Sequence, residues 1–353
     1  MKPLEDLENS GMIRSANILV RVPNWLGDTV MATPAVAEVR RIFPRAQLTV
    51  LAKEAFAPFW KNCPGVDQVL ALGAEHRGVF GFIKKTAEIK KQWFDTALIL
   101  PVSFSSAFLA FAAGIPIRIG WSGEGRDLFL THVIERPDER KKHLVLEYIE
   151  LIRRAFGKTA AKGTVRLSAP RLSGALKETR RLFKRIPKQK SWIALAPGAT
   201  YGPSKRWPLA QWAQLVKCLL AEKKISLLIL GGKEEAGYLE PLVQSIPQAQ
   251  KHRVLSLVGQ TTPLQLAAVL KQCRLLITND TGPMHVAAAV GTPTVALFGS
   301  SSPVWTGPFG TNHTVIYKRV ECSPCFQKTC PIGYICLTGI SVEEVYKAVQ
   351  KAV

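Results

Sequence analysis

Residues 274–303, RLLITNDTGPMHVAAAVGTPTVALFGSSSP, restrict the possible folds of this 353-residue chain more than any other stretch. Residues 275–278 are apolar and lead into the polar pair Asn279–Asp280, the pattern of a short buried strand. Thr281, Gly282 and Pro283 then open a helix, with Thr or Asp as cap and proline in the first turn. The helix body, 284–290, is small and apolar, so it can lie close against a sheet. Gly291 ends it, and 294–298 form the next strand. Two such strands joined by a helical crossover run parallel. Parallel α/β sheets bind ligands at the carboxyl ends of their strands, where Asp280 and the serines after Gly299 fall. The free N–H groups of a helix start suit a phosphate there.

The same alternation runs along the chain. Strands are predicted at 17–22, 47–52, 66–72, 94–100 and 117–121, with helices at 29–42, 84–93 and 144–156. Residues 171–190 interrupt the pattern with a charge-dense helix, KETRRLFKRI, between prolines. Strands at 192–196, 225–230 and 253–257 then resume it, with helices at 209–222, 237–246, 263–272 and 342–352. The expected fold is α/β: two Rossmann-like, doubly wound parallel-sheet domains facing a central cleft. Their predicted spans are 1–175 and 191–353, joined by a linker region at 176–190. The final helix is free to pack back on the first domain.

A hydrophobic content of 47% supports cores of this size. The formal net charge of +21 falls mostly on the second half. It favours a polyanionic partner: nucleic acid, an anionic membrane or a phosphorylated substrate. No nucleic-acid-binding signature is visible and aromatics are not interleaved with the basic runs, so nucleic acid is set aside. The first 15 residues are acidic and lack an apolar segment, so no secretory signal is expected and the chain is placed in the cytoplasm with reduced thiols. Residues 96–117 are uncharged and long enough to span a bilayer. Pro101, Gly114, Pro116 and three serines divide them instead into strand, loop and helix.

Polar residues mark the loops after strands. Asp28 follows Gly27 at a helix start, a place for an N-cap or for a general base. Lys205 and Arg206 close the loop PGATYGPSKRWP, as a solvated basic turn or, with Thr200 and backbone N–H groups, as a phosphate clamp. Glu235 follows Gly231–Gly232, where a carboxylate can take both hydroxyls of a ribose. His285, one turn into the helix after Asp280, is either structural or a ligand contact.

Four segments occurring in one order carry a resemblance: VRVPNWLGDTVMATPAV, LPVSFSSAFLAFAAGIPIRIGW, PGATYGPSKRWP and NDTGPMHVAAAVGTP. Together they resemble the ADP-heptose:lipopolysaccharide heptosyltransferases over nearly the whole chain. The GPSKRWP loop, RIGWSGEGR and the cysteine-rich tail are most like heptosyltransferase II, the branch that adds the second inner-core heptose. Heptosyltransferases I and III are the alternatives, with other acceptors. The resemblance implies a GT-B fold, with the acceptor on the first domain and the nucleotide-sugar on the second. It implies that Asp28 is the catalytic base, that Lys205 and Thr200 meet phosphate, and that Glu235, or its neighbour Glu234, holds the ribose. It places Asp280 on the heptose hydroxyls, and Thr281 and Gly282 at the diphosphate with His285 beside them. Tyr201 stands where relatives carry a hydroxyl or an acid.

The implied reaction is inverting transfer of heptose from ADP-heptose to a heptosyl-Kdo-lipid A acceptor. No cofactor is expected. Cys322, Cys325, Cys330 and Cys336 are spaced closely enough to hold a structural zinc, or are ordinary thiols. The basic helix predicted at 177–186 is either a solvated linker or a peripheral contact with the anionic inner membrane.

Overall fold

The computed structural model describes residues 17–137, 140–157, 165–183 and 191–353. The acidic first 15 residues lie outside the described residues, as do Lys184, Arg185 and Ile186 of the basic helix. The chain divides into two units, Met1–Arg171 and Leu172–Val353.

In the first unit the strands are β1 (Asn17–Arg21), β2 (Gln47–Lys53), β3 (Gln68–Leu72), β4 (Thr96–Ile99), β5 (Ile117–Trp121) and β6 (His132–Ile134). In the second they are β7 (Ser191–Ala196), β8 (Ile225–Ile229), β9 (Val254–Ser256), β10 (Leu275–Asn279), β11 (Thr294–Phe298) and β12 (His313–Tyr317). The described residues thus form two six-stranded sheets, ordered β3-β2-β1-β4-β5-β6 and β12-β11-β10-β7-β8-β9. Every ladder pairs parallel strands. Counted from its own first strand, each sheet has the doubly wound order, so its direction of winding reverses between β1 and β4, and between β7 and β10. The loops leaving those four strands border the two switch points.

The apolar runs make the central strands. β10 and β11 are buried along their whole length. The edge strands β6 and β12 were not expected. Each pairs with one neighbour and buries only part of its residues, so neither shows a continuous apolar run. The helix expected at 29–42 is two helices, Leu26–Met31 and Thr33–Ile42. Pro34 has no N–H to continue the first ladder, and the chain restarts from Ala32.

Residues 96–117 form β4, the helix Phe104–Ala112 and the start of β5. Among the described residues no helix is long and apolar enough to cross a membrane. The charge-dense segment, expected as a linker, is the helix Ser173–Phe183 of the second unit. It buries Ala175 and Thr179, and Gln265 and Gln272 donate to Glu178 Oε2 and Thr179 Oγ1 at 3.0 and 3.2 Å. The final helix, Val342–Ala352, spends its apolar face inside its own unit. Val345 and Val349 join Leu195, Ile277 and Leu297 in one core, each worth roughly 1.5–3 kcal/mol by burial.

Candidate active site

The second unit gathers its polar loops around one switch point. Lys205 comes from the loop after β7 and Asp280 from the end of β10. Lys205 Nζ donates to Asp280 Oδ2 at 2.5 Å, with the side chains 17% and 4% exposed. The Ser301 hydroxyl, from the loop after β11, donates to the same oxygen at 2.5 Å. Lys205 is therefore not a solvated turn residue. Its ammonium also lies 5.0 Å from the Tyr201 ring centroid, and Lys328 reaches that ring from the other strand of chain at 5.9 Å. Two cations thus approach one aromatic ring, and one of them is paired with a nearly buried carboxylate.

The helix after Asp280 is Gly282–Val290, capped by Thr281 without a side-chain hydrogen bond and closed by Gly291 in the left-handed region at φ 80°. Thr281 and Gly282 are half-buried at its start, while Met284 and His285 are buried in its first turn. The small residues predicted to allow close packing do so: Val286 and Ala287 are fully buried.

The loop carrying Lys205 is held from below by Asn279, also fully buried. The Asn279 amide donates to the Pro197 and Gly198 carbonyls at 2.6 and 3.2 Å and accepts from the Trp207 N–H at 3.2 Å. From above it is held by the cysteine-rich segment. The Tyr201 hydroxyl donates to the Phe326 carbonyl at 2.5 Å, the Ser204 hydroxyl to that of Gln327, and the Ser204 N–H to that of Lys328 at 3.2 Å. Thr200 is exposed on the same loop.

Glu235 approaches the loop from the β8 side. It is 7% exposed, with Oε2 accepting the Gly232 N–H at 2.7 Å and Oε1 lacking a partner among the described residues. Burial pushes its carboxyl above the usual range, against the Gly232 hydrogen bond and the nearby Arg206 charge. A Cβ on Gly198 would sit 2.3 Å from Oε1, so only glycine leaves room for the carboxylate. Glu234, its neighbour, is exposed. The Arg206 guanidinium lies over the Tyr238 ring at 4.3 Å.

In the first unit Asp28 stands after β1. Its helix begins at Leu26 with Trp25 as cap, so Asp28 is the third helical residue and not the N-cap. It is half-buried, and its charge adds to burial in raising the Tyr148 hydroxyl. Two buried arginines shape the neighbouring loops. Arg21 donates to Asn24 Oδ1 at 2.8 Å and to the Val22 carbonyl. Arg126 donates to the Trp121 carbonyl at 2.9 Å and to the Pro101 carbonyl. Burial lowers both guanidinium groups to about 10.

The four cysteines lie on the bracing segment, with Cys322 exposed, Cys325 and Cys330 half-buried and Cys336 buried. Burial raises the Cys336 thiol, and the other three thiols add to the effect. Among the described residues no group of three metal-ligating side chains is arranged to hold an ion.

Sequence reasoning missed Lys328, Arg21 and Arg126, and it pointed to the serines after Gly299 as a group without choosing Ser301. Ser301 could have been chosen from its place after a buried strand. The others are recognisable only through partners far along the chain.

The model of glycosyltransferase family 9 (heptosyltransferase) matches residues 83–335. Lipopolysaccharide heptosyltransferase 2 of Escherichia coli K12 is 32% identical over 85% of this chain and 87% of its own length. The solved structure of the E. coli ADP-heptose lps heptosyltransferase II superposes with a TM-score of 0.80 at 27% identity, covering 95% of this chain and 98% of that one. A glycosyl transferase family 9 structure from Veillonella parvula shares the fold at a TM-score of 0.82 and 23% identity, over 96% and 97% of the two chains.

Proposed function

The chain belongs to glycosyltransferase family 9, the heptosyltransferases, and from that premise we propose that it moves heptose from ADP-heptose to the inner-core heptose of a heptosyl-Kdo-lipid A acceptor. It is a glycosyltransferase of GT-B type, working in lipopolysaccharide core biosynthesis.

The observation that carries the donor assignment is the meeting of Lys205 and Asp280 beside a helix start at the switch point of the second sheet. A diphosphate entering there exchanges the Asp280 contact of Lys205 for its own oxygens, and the N–H groups at Thr281 and Gly282 receive it. Asp280 is then free to accept heptose hydroxyls. Glu235 takes the ribose hydroxyls with the unpartnered oxygen that Gly198 makes room for, and its burial favours it over Glu234.

In the reaction, Asp28 takes the proton of an acceptor hydroxyl as that oxygen attacks the anomeric carbon. One displacement inverts the configuration. The bond to the ADP oxygen breaks, and Lys205 with the helix start offsets the charge that grows on it. These groups supply the stabilisation the step needs, so the reading calls for no cofactor. The enzyme works at the cytoplasmic face of the inner membrane, where its excess positive charge suits an anionic surface.

Mass spectrometry of products formed from ADP-heptose with Kdo-lipid A, with and without its first heptose, tests the assignment. Addition of one heptose only to the heptosylated acceptor is expected. Addition to the bare acceptor instead would make the enzyme a first-heptose transferase.

A further inference from the structure

The first unit carries a set of exposed apolar side chains, at the margin of its core, that the proposed chemistry does not use. On the helix Gly78–Lys90, Val79 is 74%, Phe80 88% and Ile83 57% exposed. At about 100° per residue these positions fall on one side of the helix together with Lys84, Lys90 and the following Lys91, all three exposed. The opposite side carries the buried Gly81, Lys85 and Ile89. The apolar face continues onto the helix Phe104–Ala112 through the Phe82–Phe108 stack at 5.2 Å. Phe104 and Phe111, 47% and 45% exposed, close on Phe129 at 5.0 and 5.3 Å, and Leu128 next to it is 87% exposed.

Both helices follow strands, so their N-terminal ends lie at the carboxyl edge of the sheet. Val79, Phe80 and Phe104 are therefore at the edge where Asp28 stands.

We propose that this face docks on an anionic lipid bilayer. The inference rests on the proposed function in one respect, that the acceptor is lipid-linked. Aromatic and branched side chains suit the headgroup boundary, and a lysine rim beside them suits lipid phosphates. A second copy of the chain fits less well, because it would set one lysine rim against another. The basic helix Ser173–Phe183 offers charge without this apolar partner, since its buried side is already used within the second unit.

The test is co-sedimentation of the full chain with phosphatidylcholine vesicles, with and without phosphatidylglycerol. Wild type is expected to pellet with the anionic vesicles only, and less as salt rises. The triple variant Val79→Asp, Phe80→Asp, Ile83→Asp should bind about tenfold or more weakly. Replacement of Lys177, Arg180 and Arg181 by Gln should change binding less than the triple variant does. The triple variant should also keep its turnover on a detergent-dispersed acceptor and lose it on the same acceptor in vesicles. Failure of wild type to pellet would overturn the proposal, as would equal pelleting of the triple variant or equal loss on both acceptor forms. Absence of transfer by wild type on dispersed acceptor would instead fault the enzymatic reading and leave vesicle binding to be judged alone.

Discussion

Glu235 sits where burial opposes ionisation. Its folded carboxyl titrates above the ordinary value, chiefly because it is buried. The unfolded chain therefore ionises it more readily, and folding stability falls as pH rises through the raised value. Glu235→Gln should be at least as stable as wild type at neutral pH, with the difference closing in acid, while binding ADP more weakly. Thermal melts across pH and calorimetry with ADP check both halves. A variant less stable at neutral pH would show that the carboxylate is held by interactions stronger than its desolvation. At Asp28, alanine should lower transfer by about 10²–10⁴-fold, the usual loss for a general base, with ADP affinity unchanged. Steady-state rates within a few-fold of wild type would remove it from the chemistry. Lys205→Ala should cost both donor affinity and turnover, and stability as well. It leaves a nearly buried carboxylate without its cation; breaking a buried pair costs about 3–5 kcal/mol, an upper bound for a lysine that is partly exposed. Adding Asp280→Asn should restore the urea midpoint without restoring transfer, whereas no recovery of stability would mean that the two groups do not depend on each other.

At the scale of elements, loops are positioned by groups that do no chemistry. The loop carrying Lys205 is fixed by Asn279 on one side and by the carbonyls of 326–328 on the other. In the first unit the motif RIGWSGEGR works through one close approach. A Cβ on Gly120 would lie 2.2 Å from Arg126 Nη2, so glycine in β5 lets the guanidinium reach the carbonyls at the ends of β4 and β5. Gly120→Ala should therefore destabilise by about 1–3 kcal/mol, the range for overpacking, read as a lower denaturant midpoint. An unchanged midpoint would mean that Arg126 can move aside freely and is not holding the loop.

For the whole molecule, each unit has its own sheet and core. Every residue assigned to the donor, from Thr200 to His285, belongs to the second unit. Residues 172–353 expressed alone should bind ADP within a few-fold of the full chain and transfer no heptose. A folded fragment with no affinity for ADP by calorimetry would show that the first unit takes part in holding the nucleotide.

The sequence by itself determined the α/β class, the repeat of one winding pattern and the loops that matter. Those signals are local: apolar runs for central strands, small residues in the helix after Asp280, and glycine or proline where helices begin and end. It also pointed to Asp28, Lys205, Glu235 and Asp280 as loop residues at strand ends. Tertiary structure decided what local pattern cannot carry. It set Lys205 on Asp280 across 75 positions, chose burial for Glu235 and exposure for Glu234, and moved Asp28 from the cap into the first helical turn. It added the half-exposed edge strands β6 and β12, and it gave Arg126 a place through the missing side chain of Gly120. Side-chain direction and burial are set by contacts between segments far apart in the chain, and no window of sequence contains both partners.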